Sequence, residues 1–314
     1  MTGFQHLAVA GRQGPHVTLL AGVEMAGRYW ATTSASSAKV RLLSARPHAA
    51  VLSIDPSSDG GSWRLLAGRA VVLDARRPLD GLGDPLAVGL AGLALARIAA
   101  GNLDQLVGYV DDRHDIPLLW QPVSRVVIVV RADHRLEVRN GDVVAATGQF
   151  SVPAAAPTAT RRRRRSGVRN SHLSAKQREI LQQTVSCAVG VSTPCGPVAI
   201  PGTWQPGGSV RVDRSVLARV HARVPGPGCV TIDDSSGARP SSKVGVMLRG
   251  RLDLLAGAQH GAQPDAERDP PHCAQHGAGH DDQTADLAIS VDSVSGWDGF
   301  DARSAPVGSR SATT

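Results

Sequence analysis

Apolar and polar positions alternate along most of this chain, and the alternation predicts strands far more often than helices. Residues 7–10 and 16–23 read as two strands around a Gly- and Pro-containing turn at 11–15. The stretch 27–55 is the one around which the rest of the chain is organised. Tyr29, Trp30, Ala31 and Thr32 form a compact β-prone segment, and a hydroxyl-rich run of Thr32, Thr33, Ser34, Ser36 and Ser37 comes next. Lys39 and Arg41 then open a short amphipathic helix with Val40, Leu42 and Leu43 apolar, Pro47 stops it, and 49–54 alternates as a strand. A Gly/Ser/Asp loop at 55–62 leads into a long strand at 63–74. Asp84-Pro85 predicts a helix start, with Gly101 a fitting stop after Ala100. Strands are expected again at 125–131 and 136–147. Six or seven strands with two helices suit a mainly β fold, a small barrel with helical decorations.

Residues 151–170 read as a linker, Pro- and Ala-rich and then carrying five arginines at 161–165. With no aromatics interleaved to stack on bases, the run is expected to be a solvated loop rather than a nucleic-acid or membrane contact. A capped helix is predicted at 174–184. Beyond it the first half recurs. Ala38-Lys39-Val40 returns as Ala218-Arg219-Val220, residues 49–55 as 228–233, and Leu66-Ala67-Gly68-Arg69 as Leu248-Arg249-Gly250-Arg251. Three blocks in one order predict an internal duplication. The hydroxyl run is not repeated, since its counterpart is Val212-Asp213-Arg214-Ser215, where Asp213 would repel a phosphate. After 257 the chain turns rich in Gly, Pro, Asp, Gln and His. The expected organisation is a cofactor-binding barrel at 1–150, the linker, a degenerate second copy at 171–257, and an unfolded tail at 258–314.

Composition changes this picture little. In 314 residues with 42% hydrophobic but 3% aromatic content, cores must be built from Val, Leu, Ile and Ala. A net charge of +7, mostly arginine, favours anionic ligands such as phosphates. The four cysteines form no CxxC pair and none precedes Cys187, so a reduced, cytoplasmic setting is expected. Cys187 and Cys229 fall in predicted strands, and Cys195 lies in a Pro-Cys-Gly turn. No signal-peptide pattern is evident at the N-terminus, and the longest apolar run, 86–96, is too short to span a bilayer. Two sets of metal-ligand types stand out: Asp111, Asp112, His114 and Asp115, and His272-Cys273-x-x-His276-x-x-x-His280. The first is expected on a solvated loop and the second in the unfolded tail, so no metal site is expected.

The turn between Thr32 and Lys39 offers hydroxyls, free helix N-terminal N–H groups and a fixed cation together, a suitable place for a phosphate. An N-capped helix with a surface lysine is the ordinary alternative. The residues Tyr29 and Trp30, Thr33, Ser37-Ala38-Lys39 and Ala45-Arg46-Pro47, with the later Gly68-Arg69-Ala70 step, resemble the signature of the pyridoxamine 5'-phosphate oxidase-like, FMN-binding split-barrel family. The resemblance covers residues 5–150. It implies a split β-barrel, here in two tandem copies, and a site at Thr32, Thr33, Ser34, Ser37, Ala38 and Lys39 for FMN or the deazaflavin coenzyme F-420. Two positions depart from the pattern. The strand His16-Val17-Thr18-Leu19-Leu20 lacks the arginine often found there, and Ala38 stands where the family often has another; Arg28 or Arg41 could substitute.

The resemblance implies a flavin- or deazaflavin-dependent oxidoreductase acting on a small molecule, with no catalytic acid or base assigned. The alternative is a non-catalytic flavin- or haem-binding or regulatory module of the same fold. Family members are usually homodimers with the cofactor between two barrels. A duplicated chain could satisfy that geometry alone, so an intramolecular pseudo-dimer carrying one cofactor is expected.

Overall fold

The computed structural model describes residues 2–55, 61–74, 76, 84–112, 114, 125–154, 173–234, 239–255, 284–299 and 301–306. The arginine run at 161–165, Asp115 and the His272-to-His280 group lie outside them. Strands β1 (Thr2–Gly11), β2 (Gly14–Met25), β3 (Arg28–Ser34), β4 (His48–Ile54), β5 (Trp63–Leu73), β6 (Arg125–Arg139) and β7 (Asp142–Thr147) form one antiparallel sheet. Its order is β3-β2-β1-β4-β5-β6-β7, and a further pairing of β3 with β6 closes six strands into a barrel. Helix α1 (Ala38–Ala45) follows β3, while α2 (Pro85–Ala100) and α3 (Leu103–Asp111) connect β5 to β6. No helix of the described residues is long and apolar enough to cross a membrane.

After α4 (Ala175–Leu181) the same path is taken again by β8 (Val185–Thr193), β9 (Gly196–Gln205), β10 (Ser209–Asp213), α5 (Arg214–Arg219), β11 (Gly226–Asp234), β12 (Val244–Leu254), β13 (Thr284–Asp298) and β14 (Asp301–Pro306). The order β10-β9-β8-β11-β12-β13-β14, closed by β10 on β13, repeats the first sheet strand for strand. The chain is two tandem split β-barrels. Registers fix the correspondence. Gly68 and Gly250 each sit at a register shift of the fifth and twelfth strands, and Gly14 and Gly196, both with left-handed φ, open the matching second strands of each barrel. On this correspondence the buried pairs Leu7/Val189, Val9/Val191, Val51/Val230, Leu66/Leu248 and Ile128/Leu287 occupy equal places.

One expectation is overturned. The tail does not begin at 258 and stay unfolded: Thr284–Pro306 forms two strands, and β13 is the strand that closes the second barrel. The physical reason is visible in its pattern, since Ala285, Leu287 and Ile289 alternate and are buried. The second barrel therefore needs residues that lie well beyond 257.

Alternation also sorts the first barrel's faces. Leu7, Val9, Tyr29, Ala31, Leu43, Val51, Leu66 and Ile128 pack inside it, with α1 closing one end through Leu43. Trp30, Val23, Met25, Val127 and Val129 turn outward and are covered by α2 through Ala87, Ala94 and Ile98. Ala8, Val17, Ala50, Leu52, Leu65 and Ala67 turn outward on the other side, where they join one continuous apolar cluster with the second barrel. Thr231 Oγ1 donates to the Val17 carbonyl at 3.0 Å across this buried seam. Burial of such strand faces is the main stabilising contribution between the barrels, at about 25 cal/mol for each Å² of apolar surface removed from water.

Candidate functional site

The polar turn behaves as a built structure. Ser37 N donates to the Ser34 carbonyl at 3.1 Å, and the Ser34 and Ser36 hydroxyls lie 2.9 Å apart. Ser34 is thus spent on shaping the turn. Ser37 is the N-cap of α1, yet its Oγ makes no capping bond and is buried without a partner. No acidic residue lies in the first turn of α1. Lys39 Nζ donates to Thr33 Oγ1 at 3.3 Å and pairs with no carboxylate among the described residues. Desolvation, with the nearby Arg125 charge adding to it, lowers the Lys39 ammonium to about 8. A buried hydroxyl without a partner and, two positions on in the sequence, a buried cation without a carboxylate are each groups that an anionic oxygen would relieve.

Thr32 does not belong to this group. In β3 it pairs with Val127, between Trp30 and Thr33 in an alternating strand, so it takes the outward side beneath α2 while Thr33 takes the inward side. Its Oγ1 is also buried without a partner, but on the opposite face from Lys39. Hydroxyls on successive residues of a strand cannot all face one ligand, so Thr32 and Thr33 cannot serve the same site.

A cavity of about 700 Å³ lies beside this turn. One face of α1 forms a wall through Ala38, Arg41, Leu42 and Ala45, spaced as one side of a helix requires. The hairpin from Ala10 to Gly14 forms another, with Arg12, His16 and Arg46 around it, and Arg249 reaches in from the second barrel. Four guanidinium groups therefore border the cavity, and none of its lining residues is a carboxylate. Arg46 Nη1 donates to the Gly11 carbonyl at 3.2 Å, and Arg12 and Arg41 form no ion pair among the described residues. Arg249 Nη2 lies 3.0 Å from His16 Nδ1, which accepts the bond. Desolvation, then the charges of Arg249 and Lys39, drive the His16 imidazole down to about 3, so it is neutral at any ordinary pH.

Of the residues expected at a cofactor site, Ala38 alone lines this cavity, while Thr33 and Lys39 meet each other at its edge of the fold. Arg28, one candidate to replace a missing arginine, is taken up by an ion pair with Asp84, the N-cap of α2. Arg41, the other candidate, does line the cavity. Arg12, Arg46 and Arg249 were missed. For Arg249 the signal was present in the repeat itself: Leu248-Arg249-Gly250 aligns with Leu66-Ala67-Gly68, and a guanidinium replaces a methyl at a seam position. A second cavity, of about 1000 Å³, lies across α1 along Val40, Leu43, Arg69 and Val72, and carries Asp74 in its wall beside Arg76.

Other candidate clusters resolve into structural contacts. Asp111 pairs with Arg239 at 3.1 Å and Asp112 accepts Ser241 N at 2.9 Å, fastening α3 to the second barrel. Among the described residues no three His, Cys, Asp or Glu side chains are grouped to hold a metal. Burial raises the Cys187 thiol well above its usual value, and that of Cys229 to about 11, so both act as small apolar side chains.

No family model and no curated protein matches the sequence. Solved structures do. A protein described as F420 Reductase is 22% identical, over 42% of this chain and 87% of its own, with a TM-score of 0.27. A pyridoxamine 5'-phosphate oxidase-related, FMN binding protein from Nostoc punctiforme is 15% identical, over 43% and 73%, with a TM-score of 0.29. A heme binding protein from Mycobacterium smegmatis is 20% identical, over 46% and 52%, with a TM-score of 0.32. Each match spans less than half of this chain.

Proposed function

We propose that the chain binds a phosphate-bearing flavin, FMN or a deazaflavin, in the cavity between α1 and the β1–β2 hairpin, and acts as an oxidoreductase on a small molecule. The observation that carries the proposal is the cavity wall: Arg12, Arg41, Arg46 and Arg249 border about 700 Å³ that no carboxylate lines. A volume of this size accommodates a cofactor-sized ligand. Uncompensated guanidiniums favour an anion, and their planar forks suit phosphate oxygens. Arg41 and Arg46 would hold the phosphate, with the Lys39 charge set behind them. Ala10, Gly11, Ala38, Leu42 and Ala45 leave a low, apolar wall against which a flat ring can lie. When bound, such a cofactor supplies hydride transfer. His16, held neutral, can accept a hydrogen bond but cannot serve as an imidazolium acid.

That last point also favours a second reading, a non-catalytic flavin- or haem-carrying module, because the one imidazole lining the cavity is held neutral and no carboxylate lines it. The absorption spectrum of the purified chain and a titration with FMN test the primary reading. Wild-type protein should bind FMN, and Arg41→Glu should weaken it by about tenfold or more. Equal affinity in the two proteins would remove the cavity from consideration. Bound flavin that no small-molecule electron donor or acceptor can reduce or reoxidise would favour the carrier.

A further inference from the structure

We infer that the cavity on the far side of α1 is a second ligand site, one for a small molecule that carries a carboxylate on an apolar body, and that Arg41 makes it compete with the first cavity. The competition rests on reading the first cavity as the flavin site; the second site does not.

Helix α1 stands between the two cavities as a wall with both sides in use. Ala38, Leu42 and Ala45 line the first cavity, whereas Val40, Leu43 and Ser44 line the second, as the helical period requires. Arg41 falls on the border and lines both. Its guanidinium is a single planar fork, so an anion engaged on one side withdraws it from the other.

The charges around the second cavity are unbalanced. Asp74, the carboxylate in its wall, is already answered by Arg76, whose N and Nε lie 3.0 and 3.3 Å from Oδ1. Arg41 and Arg69 remain, and neither forms an ion pair among the described residues. Arg69 also stands directly opposite Arg131 in the β5–β6 register, a pairing of like charges that an anion would relieve. The second barrel shows how such an arginine is otherwise satisfied. There Arg69 corresponds to Arg251, whose Nε donates to Asp253 Oδ1 at 3.2 Å, and Asp253 corresponds to Val71. The first copy thus has the arginine of that pair without its carboxylate.

Apolar side chains make up most of the remaining wall. Val40, Leu43, Pro47, Val72 and Val126 border a volume of about 1000 Å³, enough for an organic acid. The opening has a cause in the strand register. β4 pairs with β5 only as far as His48 with Arg69, and Ala70 N donates to the Pro47 carbonyl at 2.7 Å. Past that point no strand of the described residues lies beside Val71 to Leu73 on that side, which leaves room between β5 and α1. Two uncompensated guanidiniums in an apolar cleft favour a ligand with one anionic and one apolar end, and a carboxylate matches the guanidinium fork in shape.

Naphthoate, a flat apolar carboxylate, serves as the probe, titrated by calorimetry into the full-length chain. Wild type should bind it saturably. Arg69→Ala should weaken that binding by about threefold to tenfold. Arg46→Ala, altered in the first cavity alone, should leave it unchanged. Thermal melting checks that each variant is folded, and Arg69→Gln takes the place of an Arg69→Ala that is not. With naphthoate saturating, the apparent Kd for FMN should rise about threefold or more, and FMN should weaken naphthoate by the same factor. No saturable binding by wild type, equal affinity in Arg69→Ala, or a loss confined to Arg46→Ala would overturn the second site. FMN affinity indifferent to naphthoate, in a chain that binds both, would overturn the competition alone. No FMN binding by wild type would remove the competition together with the first site, and the naphthoate titration would still decide the second.

Discussion

His6 of β1 and Asp233 of β11 meet across the seam between the barrels, Nε2 to Oδ2 at 3.0 Å, with side chains only 13% and 10% exposed. They lie in strands of different barrels and are separated by 227 positions in sequence. Asp233→Ala would leave His6 without this partner in a nearly dry setting. The expected cost is about 1–3 kcal/mol, read as a lower melting temperature. His6→Ala/Asp233→Ala should be no worse than the sum of the single changes and better if the pair acts as a unit, which a double-mutant cycle measures.

Gly68 and Gly250 make a paired prediction. A Cβ at Gly68 would fall 2.0 Å from the Arg131 carbonyl oxygen, and one at Gly250 would fall 1.9 Å from the Ser290 carbonyl oxygen. Both obstacles are backbone, so no side-chain rotation relieves them. Gly68→Ala and Gly250→Ala should each destabilise by about 2 kcal/mol or more. A melting temperature unchanged in either variant would contradict the shared bulge.

Lys39 gives the anion site a pH dependence. Its ammonium, lowered to about 8, is fully charged well below that value and loses charge as pH rises through it. FMN affinity should therefore fall between about pH 7 and 9. Lys39→Arg should hold its affinity over that range, and Lys39→Glu should bind weakly throughout, by roughly 1.5–3 kcal/mol. The ligand-free protein behaves oppositely. Between pH 8 and 10.5 the unfolded chain holds more protons at this position than the folded one, so this contribution to stability rises with pH.

His16 acts at the other end of the scale. Its ordinary value of 6.5 falls to about 3 in the fold, so below pH 6.5 the unfolded chain takes up a proton that the folded chain refuses. Stability from this group is present above pH 6.5 and is lost progressively as pH falls toward 3, by about 5 kcal/mol in total. A folded His16→Gln variant should show a correspondingly flatter acid limb relative to wild type, measured by denaturant titration at several pH values.

Residues 284–306 supply the fifth test. A chain ending at residue 257 lacks β13, leaving β10 and β12 without the strand that both pair with. Such a truncation should fail to give a cooperative unfolding transition for the second barrel, as followed by calorimetry.

That segment also shows what the sequence could and could not tell. The alternation of Leu287 and Ile289 with polar neighbours is an ordinary strand signal, but the polar composition of 258–283 drew the whole C-terminal stretch into one category. In the first half, β-prone apolar segments bounded by turn residues located β1 to β6, although β4 and the start of β6 are buried on both faces and read as unbroken apolar runs. The Thr33–Lys39 contact was legible because it is local, six positions apart. Thr32 was misplaced for the same reason, since proximity in sequence hides the reversal of faces within a strand. Arg249 was harder. Its partner His16 is 233 positions away, and only the fold of both copies brings them together.

The strand order has a consequence for synthesis on the ribosome. The first barrel has all the strands it needs for closure by Arg139, whereas the second must await β13, which ends at Asp298. For that interval the nascent first barrel presents Ala8, Val17 and Ala50 with no finished partner to cover them. A half-made molecule of this kind exposes apolar surface and unpaired strand edges, the features that lead to aggregation and attract chaperones. Expression yield should consequently be governed by how fast the C-terminal part emerges, more than by the stability of the finished protein.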